Sequence, residues 1–332
     1  MDAPAAGEGP GRSCPLHYRY RPATFAEPAD PSWRDLETLY VVGGLYGNAQ
    51  ALAQVHALFE AEPGRKRLVF NGDFHWFDVD PVLFERVQRG VLAHAALRGN
   101  VETELAGEDD GAGCGCAYPS WVDEGVVERS NRILQRLRAA VDAQARLALS
   151  RLPMGLRADV AGVRVAVVHG DARSLAGWGF AQEHLRDAPA RAQARTDFDE
   201  ASVDVFACSH TCLPVFQPLR RTSAEGSASA GAEAEPYWIL NNGAAGMPNF
   251  RHQAAGLLTR LSVRPGDAAL CRAAVRIGPL HAEAIAIEVD REDMLKAFLE
   301  QWPPGSDAHR SYWSRLSDGP DYCTEDVLRP IG

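Results

Sequence analysis

Five short apolar runs rich in β-branched and aromatic residues recur along this chain: LYVVG (39–43), RLVFN (67–71), VRVAVV (163–168), VDVFA (203–207) and YWIL (237–240). Runs of this length and composition read as buried strands. Between them Leu52, Val55, Leu58 and Phe59 return at helical spacing, as do Ile133, Leu134, Leu137 and Val141. Strands alternating with helices confine the chain to the α/β class, with helices packed on sheet faces. Three later runs, LLTRLSV, CRAAVRI and EAIAIEV (257–289), read as further strands, antiparallel ones, and EDMLKAFLEQW (292–302) as a closing helix. There is no internal repeat. Residues 1–36, rich in Pro, Gly and Ala with an aromatic-basic patch from His17 to Pro22, read as an N-terminal extension. The expected domain spans 37–302, with a C-terminal tail over 303–332 and a flexible surface loop at 223–235.

The segment just past each strand carries the chemistry. LYVV runs into GGLYGN, RLVF into NGDFHWFD, VAVV into HGD, VFAC into SHTC and YWIL into NNGAAG, while LRGNVE stands at 97–102. In α/β folds the residues past the carboxyl ends of the strands share one crevice, where ligands bind. The chain delivers Asp73, Asn100, His169 and His210 there. Singly, an Asp after a glycine shapes a turn and a buried His is a hydrogen-bonded structural residue. Together they are a mixed oxygen and nitrogen set suited to Mn, Fe or Zn.

In that order, GD, GN, H and SHT, the sequence resembles the calcineurin-like metallophosphoesterases over about residues 39–290. Their signature reads D-x-H, GD, GNH-[DE], H, GH-x-H. The resemblance implies a β-sandwich of two mixed sheets flanked by helices, a four-layer αββα arrangement, with Asp73 as the residue that bridges two metals. It also implies that one metal has lost its ligands. Gly44 and Tyr46 stand at the two ligand positions of the first motif, and Cys212 at the last histidine. The set for the other metal, Asp73, Asn100, His169 and His210, is complete, so one divalent transition metal is expected and the second site is not expected to be intact. The histidine of the GNH motif is Val101 here, which leaves His75, Asp78, Glu102 and Asp171 as the nearby residues suited to proton transfer. Of these His75, Glu102 and Asp171 are the expected catalytic groups. Asn48, at the start of the first helix, and Asn242 are candidates for holding substrate. The thiols of CSHTC (208–212) and GCGC (113–116), with Cys14 and His17, offer an alternative rebuilt metal position through Cys212, against the commoner reading of buried structural cysteines.

The net charge of -10 argues against a general nucleic-acid or acidic-membrane binder, which would need a basic face, and leaves room only for a local basic pocket. No stretch approaches the roughly 18–20 apolar residues of a membrane span, and the first residues lack the layout of a signal peptide. With seven cysteines, an odd number suited to reduced thiols, a cytoplasmic protein is expected. The expected function is hydrolysis of a small phosphoester or nucleotide, monoester or diester, by water activated on one metal. The alternative is a non-catalytic member that binds a phosphate-bearing ligand or a protein partner. A dinucleotide-binding oxidoreductase is disfavoured, because GGLYGN lacks the G-x-G-x-x-G spacing and no acidic residue ends the second strand. Trp178 and Phe180 are either base-stacking groups or core aromatics.

Overall fold

The computed structural model describes residues 9–107, 111, 113–221 and 235–332. The loop expected at 223–235 lies outside the described residues except for Glu235. The strands are β1 (Thr38–Val42), β2 (Lys66–Asn71), β3 (Ala95–Leu97), β4 (Gly155–Val160), β5 (Val163–Val168), β6 (Val205–Cys208), β7 (Pro214–Leu219), β8 (Tyr237–Asn242), β9 (Gly256–Ser262), β10 (Cys271–Ile277) and β11 (Leu280–Ile287). The helices are α1 (Ala49–Ala61), α2 (Pro81–Leu92), α3 (Asn100–Ala106), α4 (Glu124–Arg138), α5 (Ala143–Ser150), α6 (Ala188–Ala201), α7 (Arg291–Gln301) and α8 (Asp307–Asp318).

The strands form two mixed sheets, ordered β10-β11-β9-β1-β2-β3 and β4-β5-β6-β8-β7. In the first, β1, β2 and β3 are parallel and β9 joins β1 antiparallel. In the second, β5, β6 and β8 are parallel, with β4 and β7 added antiparallel at the edges. Alternation along the strands builds the layers. Leu39 and Val41 of β1 and Val69 of β2 meet Val165, Val167 and Ala207 in the core between the sheets. The intervening Tyr40, Val42 and Phe70 face outward and pack under α1, α2 and α4. On the far side Ala166, Val168, Phe206 and Ile239 pack against Phe198 of α6. The result is the four-layer αββα sandwich expected from the sequence.

The five runs and the closing helix stand within two residues of their expected places. Strands β3, β4 and β7 and helices α2, α3, α5, α6 and α8 are additional. The N-terminal segment from Gly9 is tied down at several points: Tyr18 is fully buried and its hydroxyl donates to Glu104 at 2.5 Å, and Arg19 and Leu36 bridge to Ser174 and Val160. The parallel strands of both sheets end along one rim, and the loops after them are brought together there.

Candidate metal centre

Asp73, Asn100, His169 and His210 lie one to three residues past the ends of β2, β3, β5 and β6, and all four are buried. A glycine precedes two of them for a steric reason. A Cβ on Gly72, at φ +98°, would fall 2.6 Å from the Gly99 backbone and 2.7 Å from His169 Nδ1; one on Gly99 would fall 2.2 Å from Asp73 Oδ1. Only with both side chains absent can the two loops touch and bring their ligand candidates together.

Hydrogen bonds on the far side of each group fix which atom faces inward. His169 Nδ1 donates to the Asn71 carbonyl (2.9 Å), which leaves a lone pair on Nε2. His210 Nε2 donates to the Cys116 carbonyl (3.1 Å), which leaves one on Nδ1. Asn100 Nδ2 donates to the Cys114 carbonyl (2.9 Å), turning Oδ1 inward. These tautomers and the amide orientation follow from the network. Around His169 Nε2 then stand three further acceptors: His210 Nδ1 at 3.1 Å, Asn100 Oδ1 at 3.2 Å and Asp73 Oδ2 at 3.4 Å. Four acceptors converge with no donor among them. Such a cluster needs a positive charge at its centre, a proton on His169 Nε2 or a metal ion, and its mixed donors fit a divalent transition metal. Among the described residues Asp73, His169 and His210 are the one group of three ionisable or thiol ligands close enough to share an ion. Cys114, Cys116, Cys208 and Cys212 join no such group.

The electrostatics agree. Burial opposes ionisation of Asp73, yet His169, its hydrogen bond and His210 hold its pKa below the usual carboxylate value. Burial also works against a charged His169, but Asp73 and the Asn71 carbonyl outweigh it and raise its pKa. His210 is pushed down to about 3 by burial and by its neighbour His169. The cluster thus favours a single positive charge shared with the carboxylate.

The other residues singled out in the sequence are engaged elsewhere. Glu102 accepts four backbone N–H bonds, from Asp73 and Gly99 on Oε2 (both 2.8 Å) and from Phe74 and His75 on Oε1 (3.0 and 3.3 Å). His75 is fully buried, stacked on Phe84 at 3.7 Å, with Nδ1 on Asp78 Oδ2 at 2.6 Å. Asp171 accepts from the N–H groups of Arg173, Ser174 and Gly179 and so shapes its own loop. Asn48 caps α1 through Gln50 and Ala51 and donates to the Gly246 carbonyl. Asn242 donates to the carbonyls of Gly43 and Leu257 and ties β8 to the loop after β1. None of the five lines the cavity at the four-acceptor cluster. Phe180 belongs to the core beneath α6.

That cavity holds about 220 Å³ and has aromatic walls, Tyr46, Trp76, Tyr118, Trp178 and Tyr312. Little in the sequence announces them. Tyr118 lies in the segment after the GCGC run and Tyr312 on α8, both distant in the chain from the strand-end motifs. Where the resemblance places the ligands of a second metal, the Tyr46 hydroxyl and the Cys212 thiol share a hydrogen bond at 2.8 Å, and the tyrosine ring folds back over Gly44.

No protein-family model matches this chain, and no curated protein does. Among solved structures, the metallophosphoesterase from Sphaerobacter thermophilus is 16% identical with a TM-score of 0.50, the match covering 85% of this chain and all of that one (100%). A hypothetical protein from Pyrococcus horikoshii OT3 is 15% identical with a TM-score of 0.53, covering 86% of this chain and 99% of the other. With its two mixed sheets, its flanking helices and ligand candidates gathered at one strand-end rim, the chain has the metallophosphoesterase fold.

Proposed function

We propose that this protein is a metal-dependent phosphoester hydrolase that works with one divalent transition metal, Mn, Fe or Zn, held by Asp73, Asn100, His169 and His210. The observation that carries the reading is the convergence of four lone-pair acceptors on one point, three of them fixed from behind by a backbone carbonyl. The solved structures that share the fold include a metallophosphoesterase, which agrees with it. A metal bound there would polarise a phosphoryl oxygen and activate water. The chain's own residues supply the rest. Val101 N–H donates to Asp73 Oδ1 (3.2 Å) and Glu102 anchors the Asp73 loop, so the carboxylate is pre-positioned. The aromatic walls shield the reacting phosphorus from bulk water. Among the described residues no lining side chain is set to donate a proton near neutrality, since burial raises Tyr46, Tyr118, Tyr312, Cys116 and Cys212 and lowers His210. Esters with good leaving groups are therefore the expected substrates.

One observation favours the alternative, a protein that binds a phosphate-bearing ligand without turning it over: the Tyr46 hydroxyl and the Cys212 thiol, at positions where the resemblance would put ligands of a second metal, are hydrogen-bonded to each other. The cytoplasmic reading is in keeping with seven free cysteines, and no described helix is long and apolar enough to cross a membrane. Metal content decides the matter first. About one equivalent in the parent, lost in Asp73→Ala and in His169→Ala, is the expected result. No uptake of Mn, Fe or Zn by the folded parent would refute the metal reading.

A further inference from the structure

The cavity at the four-acceptor cluster is poor in charge. Asp73 is the one formal charge on its wall, and no lysine or arginine lines it among the described residues. Arg315 approaches from behind Cys212 but is held on two carbonyls, its Nε on Pro248 (3.2 Å) and its Nη2 on Cys212 (2.6 Å). A dication on the cluster, with Asp73 ionised, leaves the site one net positive charge. A phosphodiester carries one negative charge, and a phosphomonoester nearly two once its second proton is lost, at a pKa of about 6. From monoanion to dianion the attraction to that single positive charge doubles, whereas the cost of leaving water grows as the square of the ligand's charge. Walls of Trp and Tyr and no second cation therefore select the monoanion.

The surroundings of the cavity also suit an ester with two arms. Tyr118 and Trp178 belong both to its wall and to that of a neighbouring groove of about 480 Å³, which runs on to Trp121, Tyr20 and Arg19. Trp178 is fixed between the two spaces, its Nε1 donating to the same Cys116 carbonyl that accepts from His210 Nε2. Trp121 stands edge-on to Trp178 at 6.4 Å and is a large apolar ring 57% exposed.

We propose that the site takes a phosphodiester monoanion, with one arm, a flat aryl or nucleobase group, lying in the groove along Trp178 and Trp121. This deepens the phosphoester reading above and rests on it. Hydrolysis joins the oxygen of one water to phosphorus and breaks one P–O ester bond. One proton of the water ends on the departing alcohol, and the other on the new phosphoryl oxygen, from which it ionises above a pH of about 6. The product is a monoester dianion, the charge state the cavity holds poorly, so the reaction stops after one ester.

Equilibrium binding tests this without relying on turnover. Dimethyl phosphate, methyl phosphate and methyl phenyl phosphate are titrated at about pH 8, where the monoester is a dianion, into the Mn-loaded full chain. Calorimetry and tryptophan fluorescence follow binding, with bound Mn counted in the same samples. Dimethyl phosphate is expected to bind at least about tenfold more tightly than methyl phosphate, and methyl phenyl phosphate more tightly again. Trp121→Ala removes the gain from the phenyl group and Trp121→Phe keeps most of it. Val126→Lys, which adds a cation to the cavity wall, raises methyl phosphate binding toward that of dimethyl phosphate. Methyl phosphate binding as well as or better than dimethyl phosphate overturns the charge selection and leaves the metal hydrolase standing. A phenyl gain untouched by Trp121→Ala overturns the groove assignment. Bound Mn with no affinity for any of the three esters overturns both this proposal and the hydrolase reading, and a chain that takes up none of Mn, Fe and Zn removes the metal on which both depend.

Discussion

Replacing Glu102 by Gln separates two roles that a carboxylate beside a metal cluster can have. The side chain is fully buried in the first turn of α3, and each of its oxygens accepts two N–H groups, from Asp73 and Gly99 on one and from Phe74 and His75 on the other. Burial and the nearby Asp73 carboxylate raise its pKa, while His75 and these N–H bonds pull the other way. Gln is nearly isosteric but keeps a single oxygen. Its NH₂ must face two of the four N–H donors, and each buried donor left without an acceptor costs about 1–3 kcal/mol, so the variant should lose about 2–6 kcal/mol of stability. The Asp73 loop loses an anchor in the same step, and metal affinity should fall about 10–100-fold, as it does when an outer partner of a ligand is removed. Urea unfolding of the metal-free protein and competitive metal titration of the folded variant measure the two effects. Stability within about 0.5 kcal/mol of the parent, unchanged metal affinity and lost phosphoester turnover would refute this reasoning and make Glu102 a proton-transfer group.

Two further outcomes rest on local geometry. Gly44→Ala places a Cβ at φ +67°, 2.8 Å from the Tyr46 ring, and should cost about 1–3 kcal/mol; part of that cost should vanish in a Tyr46→Ala background, and strict additivity in the double-mutant cycle would show that the two side chains do not compete for space. Asp204 is held at about 2 by Arg164 and Arg221 against the opposing effect of burial. Its folded pKa lies below the unfolded one, so its contribution, about 1–2 kcal/mol after allowance for screening at the half-exposed Arg164, is complete above a pH of about 4 and is lost as pH falls toward 2. The stability gap between the parent and Asp204→Asn should shrink over that interval, and a gap independent of pH would count against the ion pair.

What could be read from the sequence depended on how local the signal was. The strands β1, β2, β5, β6 and β8 announce themselves because they are buried on both faces and therefore run nearly without interruption in apolar residues. The missed strands lack that signal: β3 is three residues long, and β7 carries Pro214 and Pro218, which its place at the end of the sheet tolerates. The four inward-facing acceptors were legible because each stands directly after a strand. The roles of His75, Glu102 and Asp171 were not, since whether a carboxylate faces a cavity or a ring of backbone N–H groups depends on loop conformation. For Glu102 a clue was present: a Glu three residues after Gly99, the N-cap residue just before α3, is a helix-capping pattern. Nothing local marks Tyr118 or Tyr312 as cavity walls, because that role exists only once α8 has docked against α4.

At the positions that the resemblance assigns to a second metal, residues 44, 46 and 212 are packed together. Residue 44 is in a left-handed conformation with the Tyr46 ring folded over it, so a ligand side chain at 44 and a tyrosine at 46 compete for the same space. Tyr46 in turn spends its hydroxyl on Cys212, whose carbonyl is held by Arg315 from α8. Residues 44, 46 and 212 therefore form one packed unit, and a metal-ligating side chain placed at any one of them would meet the other two as obstacles. The same unit supplies Tyr46 and Cys212 to the cavity wall. Tyr46 and Cys212 give the wall apolar surface and no cation, and both features act in the direction of the proposed ligand, one of low charge with an apolar arm.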